Sequence, residues 1–493
     1  MTTTGIAERG RPTDGADLNP RRWAALAVAL LATFMDILDT TVVLVALPSI
    51  QCGLQVGAST LQWTVAAYTL AFALLLITGG RLGDSYGRKR VFLVGLAGFT
   101  VASVLTGTAQ SAGMLVVSRA LQGAMAALMV PQVLSFVQVE FPAAERARAF
   151  AVFGMTFALG GVSGPLLGGL LTQADLFGLG WRPIFLINLP VGVLALAGAA
   201  ALLRESRAAR PPRLDPVGAV LVSAGLLALL YPLVQGHDLG WPSWTFALMA
   251  ASVPVLALFA AWERRKTRRD GSPLVELGLF RHRGVVGGLL IALLFFAGAG
   301  YSFVVTLYLQ DGLGFDPLGA ALAFLPFSLG VVAGSGAAMR LVPRLGRRIV
   351  TGGGLVMALG VALLIAAVHR YGDGLHGWQL APGMLVAGLG MAMVSTTLVT
   401  IVLARVPGRD AGSASGVVNT TLQVGLAAGV AVVGTLFFTL LDGGADIAAA
   451  TQRSLWLEIG LFLASALLSF LLPAGPVHAG GPGQAPPAEG TGG

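Results

Sequence analysis

Apolar runs of about 18 to 25 residues follow one another from Trp23 to Leu472, each long enough to cross a hydrocarbon layer of roughly 30 Å as a helix. Short polar or Gly/Pro-rich connections separate them. The pattern predicts fourteen spans, near 23–47, 61–80, 91–109, 113–137, 147–172, 183–203, 217–235, 243–262, 285–309, 318–339, 349–368, 379–403, 414–440 and 454–472. Because no run shows the two-residue alternation of a half-buried strand, the expected class is an all-α polytopic membrane protein. Composition agrees: 11% of residues are charged and 55% hydrophobic, whereas soluble domains are about a quarter charged.

The basic residues set an orientation. Of the 31 Lys and Arg, all but Arg119, Arg182, Arg370 and Arg453 fall in the N-terminal tail or in the even-to-odd connections. Cytoplasmic loops carry that excess, so both termini are expected in the cytoplasm. The net charge of +8 is thereby a topology signal, and its dispersal between spans argues against a nucleic-acid partner. Residues 1–22 hold no apolar run of signal-peptide length and 473–493 are Pro/Gly-rich; both are expected to be disordered tails.

Several chemistries find no support. Cys52 is the single cysteine, so there is no intramolecular disulfide or Cys-rich metal site. The only lysines, Lys89 and Lys266, each follow an arginine, which rules out the Gly-Lys of a Walker A loop. The histidines, 237, 282, 369, 376 and 478, lie in loops or at span edges without metal spacing. No cofactor and no metal are expected, the chain does not read as an enzyme, and energy for transport must come from an ion gradient.

A repeat is visible in the connections. The offset that carries Arg81 onto Arg340 also aligns Leu82, Gly87, Arg88 and Lys89 with Leu341, Gly346, Arg347 and Arg348. This suggests two related six-helix halves, 23–203 and 285–472, with two helices and their linkers (204–284) inserted between them.

Charge inside the spans marks the candidate chemistry. Asp36 and Asp39 stand three residues apart, on one helical face, in the middle of the first span. An acid there costs several kcal/mol unless it pairs, faces water or takes a proton. One of the two is expected to bind a proton, in competition with a cationic substrate. Arg119, basic and inside the fourth span, needs a counter-ion; Asp39 or Asp36 is the expected partner, with Gln122 one turn along on the same face. In span 5, Gly160, Gly164 and Gly168, and alongside them Gly161, Pro165 and Gly169, form small-residue stripes that let helices approach closely. After span 2, Gly80, Arg81, Gly83, Asp84, Gly87 and Arg88 form a tight basic turn in which Asp84 can pair with a neighbouring base. Gln62, Trp63, Tyr68, Tyr301, Tyr308, Asn419 and Gln423 are polar or aromatic groups inside spans, able to meet a planar cation. The basic stretch 263–270 and the segment 273–280 are expected to lie on the anionic membrane surface, with lipids as partners.

These residues carry a resemblance. G80-R-L-G-D-S-Y-G-R-K-R90, L38-D-T-T-V-V-L-V-A-L-P48, R119-A-L-Q-G-A-M-A-A, G160-G-V-S-G-P-L-L-G-G169 and W181-R-P-I-F-L-I-N-L-P190 are similar to motifs of the major facilitator superfamily, and within it of the fourteen-helix drug:proton antiporters. The resemblance covers nearly the whole chain. It implies proton coupling through Asp39 and Arg119; Asp36 joins them by its position one turn away, and substrate contact at Asp36, Gln62, Trp63, Tyr68, Gln122, Tyr301, Asn419 and Gln423 is expected from their type and their place inside spans. The resemblance further implies gating by the loop Gly80–Arg88, an antiport role for Gly161, Gly164, Pro165, Gly168 and Gly169, and a monomer in a prokaryotic plasma membrane. The expected activity is proton-driven export of small amphipathic, cationic drugs or antibiotics. A proton-coupled carrier of another metabolite, such as a lipid, siderophore or sugar-like compound, is the alternative.

Overall fold

A computed structural model describes residues 20–208, 213–403 and 411–472. The tails expected to be disordered lie outside these residues, apart from 20–22. The helices are α1 Arg22–Leu54, α2 Ala58–Tyr86, α3 Arg88–Gly107, α4 Ala112–Glu140, α5 Ala143–Gln173, α6 Pro183–Leu186, α7 Asn188–Leu202, α8 Pro216–Gln235, α9 Ser243–Asp270, α10 Arg283–Ala297, α11 Tyr301–Leu307, α12 Pro317–Leu345, α13 Arg347–Tyr371, α14 Gly377–Leu403, α15 Ala411–Asp442 and α16 Ile447–Leu468. Among the described residues, 14 helical segments are long and apolar enough to span a membrane. The sixth joins α6 to α7; the ninth joins α10 to α11 through a 3-10 turn at Gly298–Gly300 and closes in a π turn at Tyr308–Gly312.

Most helices outrun the apolar runs that announce them. α1 passes through Pro48 to Leu54, so Cys52, expected outside the first span, stands exposed in the last turn of its helix. A hydropathy window registers the stretch embedded in hydrocarbon, while backbone hydrogen bonding continues into the interface.

The same packing occurs twice. In the first half α2 and α3 pack on α4, α1 packs on α5, and α7 packs on α1 and α3; in the second α12 and α13 pack on α14, α10 on α15, and α16 on α10 and α13. The halves meet through α2 with α15 and α5 with α12. α8 and α9 form a pair, and α8 lies against α2 and α15.

Four apolar clusters show how the halves are joined. One lies within α1–α7, one fills the second half and its linker with Ile77 of α2 packed against it, and a small one joins Ala66 and Leu70 of α2 to Leu230 of α8 and Ala427 of α15. Another, at the end away from the N-terminus, takes Val42, Val43, Ala46 and Leu47 from the first half and Phe303, Val304, Leu307, Val433 and Phe437 from the second. At that end Gln310 donates to the Val45 carbonyl oxygen at 2.7 Å and Gln173 to Asp316 at 2.8 Å. The halves thus share a core at the far end, and along α2 and α15 they also meet where Thr420 donates to the Ala73 carbonyl oxygen at 3.0 Å.

Segment 273–280 corrects an expectation. Leu274, Val275 and Leu279 are buried in the second half's core, so the segment folds inward instead of lying on a membrane surface. Burial of its apolar side chains outweighs the attraction of the preceding basic residues for lipid.

Candidate functional site

The first half holds a buried polar cluster built from five helices. Asp39 is midway along α1, roughly 23 to 26 Å from either helix end at 1.5 Å per residue, and is fully buried. One carboxyl oxygen accepts from Arg119 Nη1. The other accepts from Gln122 Nε2 and from Asn188 Nδ2, both at 3.0 Å. Gln122 Nε2 and Asn188 Nδ2 also donate to Ser103 Oγ, at 2.9 and 3.3 Å. Gln122 Oε1 accepts from Thr106 Oγ1 at 2.9 Å and from Arg119 Nη1 at 3.0 Å.

Arg119 is held on several sides. Besides Asp39 it donates through Nε to the Thr64 carbonyl oxygen at 2.9 Å. Its guanidinium stacks over Tyr68, 4.5 Å from the ring centroid, with Phe185 at 5.6 Å. A guanidinium in an apolar interior is tolerable only with such a counter-charge and such acceptors. The Tyr68 hydroxyl in turn donates to Asp36 Oδ1. Asp36 is buried as well, with 8% of its surface exposed against 0% for Asp39. α1, α2, α3, α4 and α7 are therefore tied through one chain of hydrogen bonds.

The span 5 stripes separate by function in packing. A Cβ added at Gly164 or Gly168 would strike Thr41 or Val42 of α1, and one at Gly160 would strike Ile37. Gly169 faces Pro317 and Leu318 of α12, and the Gly161 carbonyl oxygen accepts from Ser328 Oγ of α12 at 3.4 Å. Pro165 lies within α5, which continues past it. One face of α5 thus seats α1 beside its acids, and the adjacent face meets the other half.

The motif after span 2 is mostly helical. Gly80, Arg81, Gly83 and Asp84 belong to α2, and the chain turns only at Gly87, whose φ of +113° is a glycine conformation. Asp84 pairs across that turn with Arg88 at 2.8 Å. Arg81 donates to the carbonyl oxygens of Arg213, Ser272 and Pro273, on either side of the inserted pair. Arg88 N–H donates to the Ser206 oxygen at 2.9 Å and Lys89 N–H to Glu205 Oε1 at 3.1 Å. The motif holds the connections that flank α8 and α9.

The other sequence-derived residues are dispersed. Gln62 is buried against Gly434 of α15. Trp63 donates to Gln235 of α8 at 3.3 Å and packs beside Tyr231, away from the cluster. Tyr301 is buried against Phe327; Tyr308 is also buried, and Asn419 and Gln423 are half-buried on α15. Tyr68 and Gln122 join Asp36, Asp39 and Arg119; the rest do not.

Sequence reasoning missed Asn188, Ser103, Thr106 and Glu458. Asn188 stood in a quoted motif, as a lone amide in the apolar run of span 6. Glu458, fully buried in α16, is an intramembrane acid like Asp36 and Asp39 and could have been found by the same argument. Among the described residues, no group of three or more His, Cys, Asp or Glu could hold a metal ion.

Comparison with known proteins places this architecture. The chain is 48% identical over 448 residues to a probable actinorhodin transporter of Streptomyces coelicolor, covering 89% of this chain and 77% of the relative. It is 36% identical over 470 residues to the puromycin resistance protein pur8 of Streptomyces alboniger, covering 92% of each. In fold it is similar to an auto-inhibited POT family peptide transporter, with a TM-score of 0.68 at 16% identity over 94% of this chain and 99% of that one. The model of the Major Facilitator Superfamily matches residues 29–430, and the chain belongs to that superfamily.

Proposed function

We propose that this protein is a proton-coupled exporter of small amphipathic antibiotics or drugs in a bacterial plasma membrane, with both termini in the cytoplasm. The observation that carries this reading is the pair of intramembrane acids one turn apart on α1, one paired with Arg119 and the carboxyl of the other accepting only from Tyr68 among the described residues. The relatives' names, a probable actinorhodin transporter and a puromycin resistance protein, support an antibiotic cargo.

The cluster suggests how coupling works. Asp39 can accept a proton only by giving up Arg119, because its oxygens are already occupied by the guanidinium and two amides. Asp36 is the entry: a proton or a cationic substrate reaches it first, and either one competes with the Tyr68 hydrogen bond. Protonation of the pair frees Arg119 and loosens α1 from α4. The glycine stripe of α5 lets α1 slide without a gap opening. Arg81, Asp84 and Arg88 serve as the gate on the cytoplasmic side, acting through the linkers of α8 and α9. With the halves joined by a shared core at the far end, this conformation is closed to the outside. The substrate is expected to contact Asp36 together with the α15 face carrying Asn419 and Gln423, and the functional unit is a monomer.

Expression in a drug-sensitive bacterium tests the reading. Puromycin tolerance should rise with the wild type and not with Asp39→Asn. Unchanged tolerance and unchanged intracellular levels for puromycin and for a polyketide quinone would remove it.

A further inference from the structure

The repeat offset that takes Arg81 to Arg340 takes Asp39 to Gly298. In the first half the first helix carries the acid, Asp39, and Asn188 on the sixth meets it. In the second half the first helix has no side chain at that place, and an acid, Glu458, stands on the sixth, α16. Gly298 lies against Phe462, one turn along α16 from Glu458.

Glu458 is roughly 15 to 17 Å from either end of α16 and fully buried. Among the described residues neither carboxyl oxygen has a hydrogen-bond partner, and neither does Ser454 Oγ one turn earlier on the same face. Leu455, Ile459 and Phe462 around it join Met357, Ala358 and Val361 of α13 in the apolar core. α16 packs against α10, the 3-10 turn, α11, the π turn, α13 and α15. Of their titratable groups, Tyr301 on α11 is the one near the middle of its span. Arg283, Tyr308, Asp311, Arg347, Arg348, His369, Arg370, Tyr371 and Asp442 lie towards the helix ends, as does Arg453 on α16.

Two features need an account beyond packing. A carboxyl group without partners is a worse filler for an apolar core than leucine or methionine. Beside it, the ninth span tightens from α10 into the 3-10 turn Gly298–Gly300 and resumes as α11, its backbone helical throughout. A 3-10 stretch inside a helix is a common place for bending or strain. This one is wedged between neighbours: a Cβ at Gly300 would come within 3.0 Å of the Gly429 backbone on α15. An ionised Glu458 is untenable in this setting, so here it is the neutral acid.

We propose that Glu458 is a second exchangeable proton site, in the C-terminal half, which holds its proton in this conformation and releases it when the 3-10 turn at Gly298–Gly300 admits water. The step is heterolytic: the carboxyl O–H bond breaks, the proton passes to water, and the electron pair stays on the carboxylate, which then accepts from the admitted water. The inference rests on the proton-coupled reading above, and its test is chosen to be separable from it.

The full-length protein in liposomes is followed by infrared difference spectroscopy as the pH is stepped, in water and in D2O, with no substrate present. A protonated-carboxyl band is expected that shifts in D2O, weakens as the pH rises, is lost in Glu458→Gln and survives in Asp39→Asn. Should Glu458→Gln fail to fold, Glu458→Leu, which suits the surrounding apolar core, removes the same band. A band that neither exchanges nor titrates, or that survives removal of the Glu458 carboxyl, overturns the proposal. Failure of antibiotic transport, with this band behaving as expected, would instead count against the export reading alone.

Discussion

The two halves share one packing plan and treat buried charge in opposite ways. Asp39 in the first half accepts from a guanidinium and two amides, all from neighbouring helices. Glu458 in the second half accepts from no group among the described residues. The difference teaches that burial alone does not define a coupling site. An acid surrounded by fixed donors ties helices together, whereas an acid with no donors makes no such tie and leaves only the proton-carrying role proposed above.

The largest effect expected from this contrast is at Arg119. Arg119→Leu strands Asp39 as an unpaired buried anion, which costs about 3 to 5 kcal/mol. Adding Asp39→Leu should recover most of that loss, as read by thermal unfolding in detergent. A double variant no more stable than the single would mean that the pair is not what holds α1 to α4. Next comes the place where the halves diverge: Gly298→Val drives a side chain into Phe462 and should cost about 1 to 3 kcal/mol. A variant as stable as wild type would show that the turn is loosely packed.

Glu458→Gln sharpens the comparison by its smallness. A neutral acid exchanged for a neutral amide loses no partner, so stability should stay within about 1 kcal/mol of wild type; a loss as large as that of Arg119→Leu would reveal a hidden counter-charge. The smallest effect belongs to the surface pair of Arg22 and Glu145, 2.8 Å apart at the start of α5. The hydrogen bond from Arg22 holds the Glu145 carboxyl below its ordinary value. A folded-state value below the unfolded one gives stability that is present above the unfolded value and lost as pH falls through the folded one. Glu145→Gln should therefore alter unfolding only above that acidic window, and slightly, whereas equal changes at all pH would exclude this linkage.

Much of this was legible in the sequence, for a physical reason. Charge in an apolar run is conspicuous, so Asp36, Asp39 and Arg119 stand out, and the need for a counter-ion joins the last to the first span. Asn188 did not stand out because an amide in a span is cheap enough to occur for packing alone; only the fold brings it to Asp39. Glu458 escaped because the last apolar run was taken to begin at 454, placing the acid near the membrane surface. α16 begins at Ile447 and puts it in the middle. Asp84 read as part of a turn because glycines punctuate the stretch, yet α2 continues through them, with Gly79 and Gly83 closely packed on Ala127 and Gln132 of α4. Trp63 was read as a substrate contact from its type and depth, but α8, which covers it, is a neighbour that no local pattern announces.

The most direct test of proton coupling through the α1 acids is proton flux in everted membrane vesicles. A pH gradient is established, puromycin and a set of lipophilic cations are added in turn, and dissipation is recorded for wild type and Asp39→Asn. The expected result is substrate-triggered proton efflux in the wild type and none in Asp39→Asn. Efflux of equal size in both would contradict the account and place coupling elsewhere in the molecule.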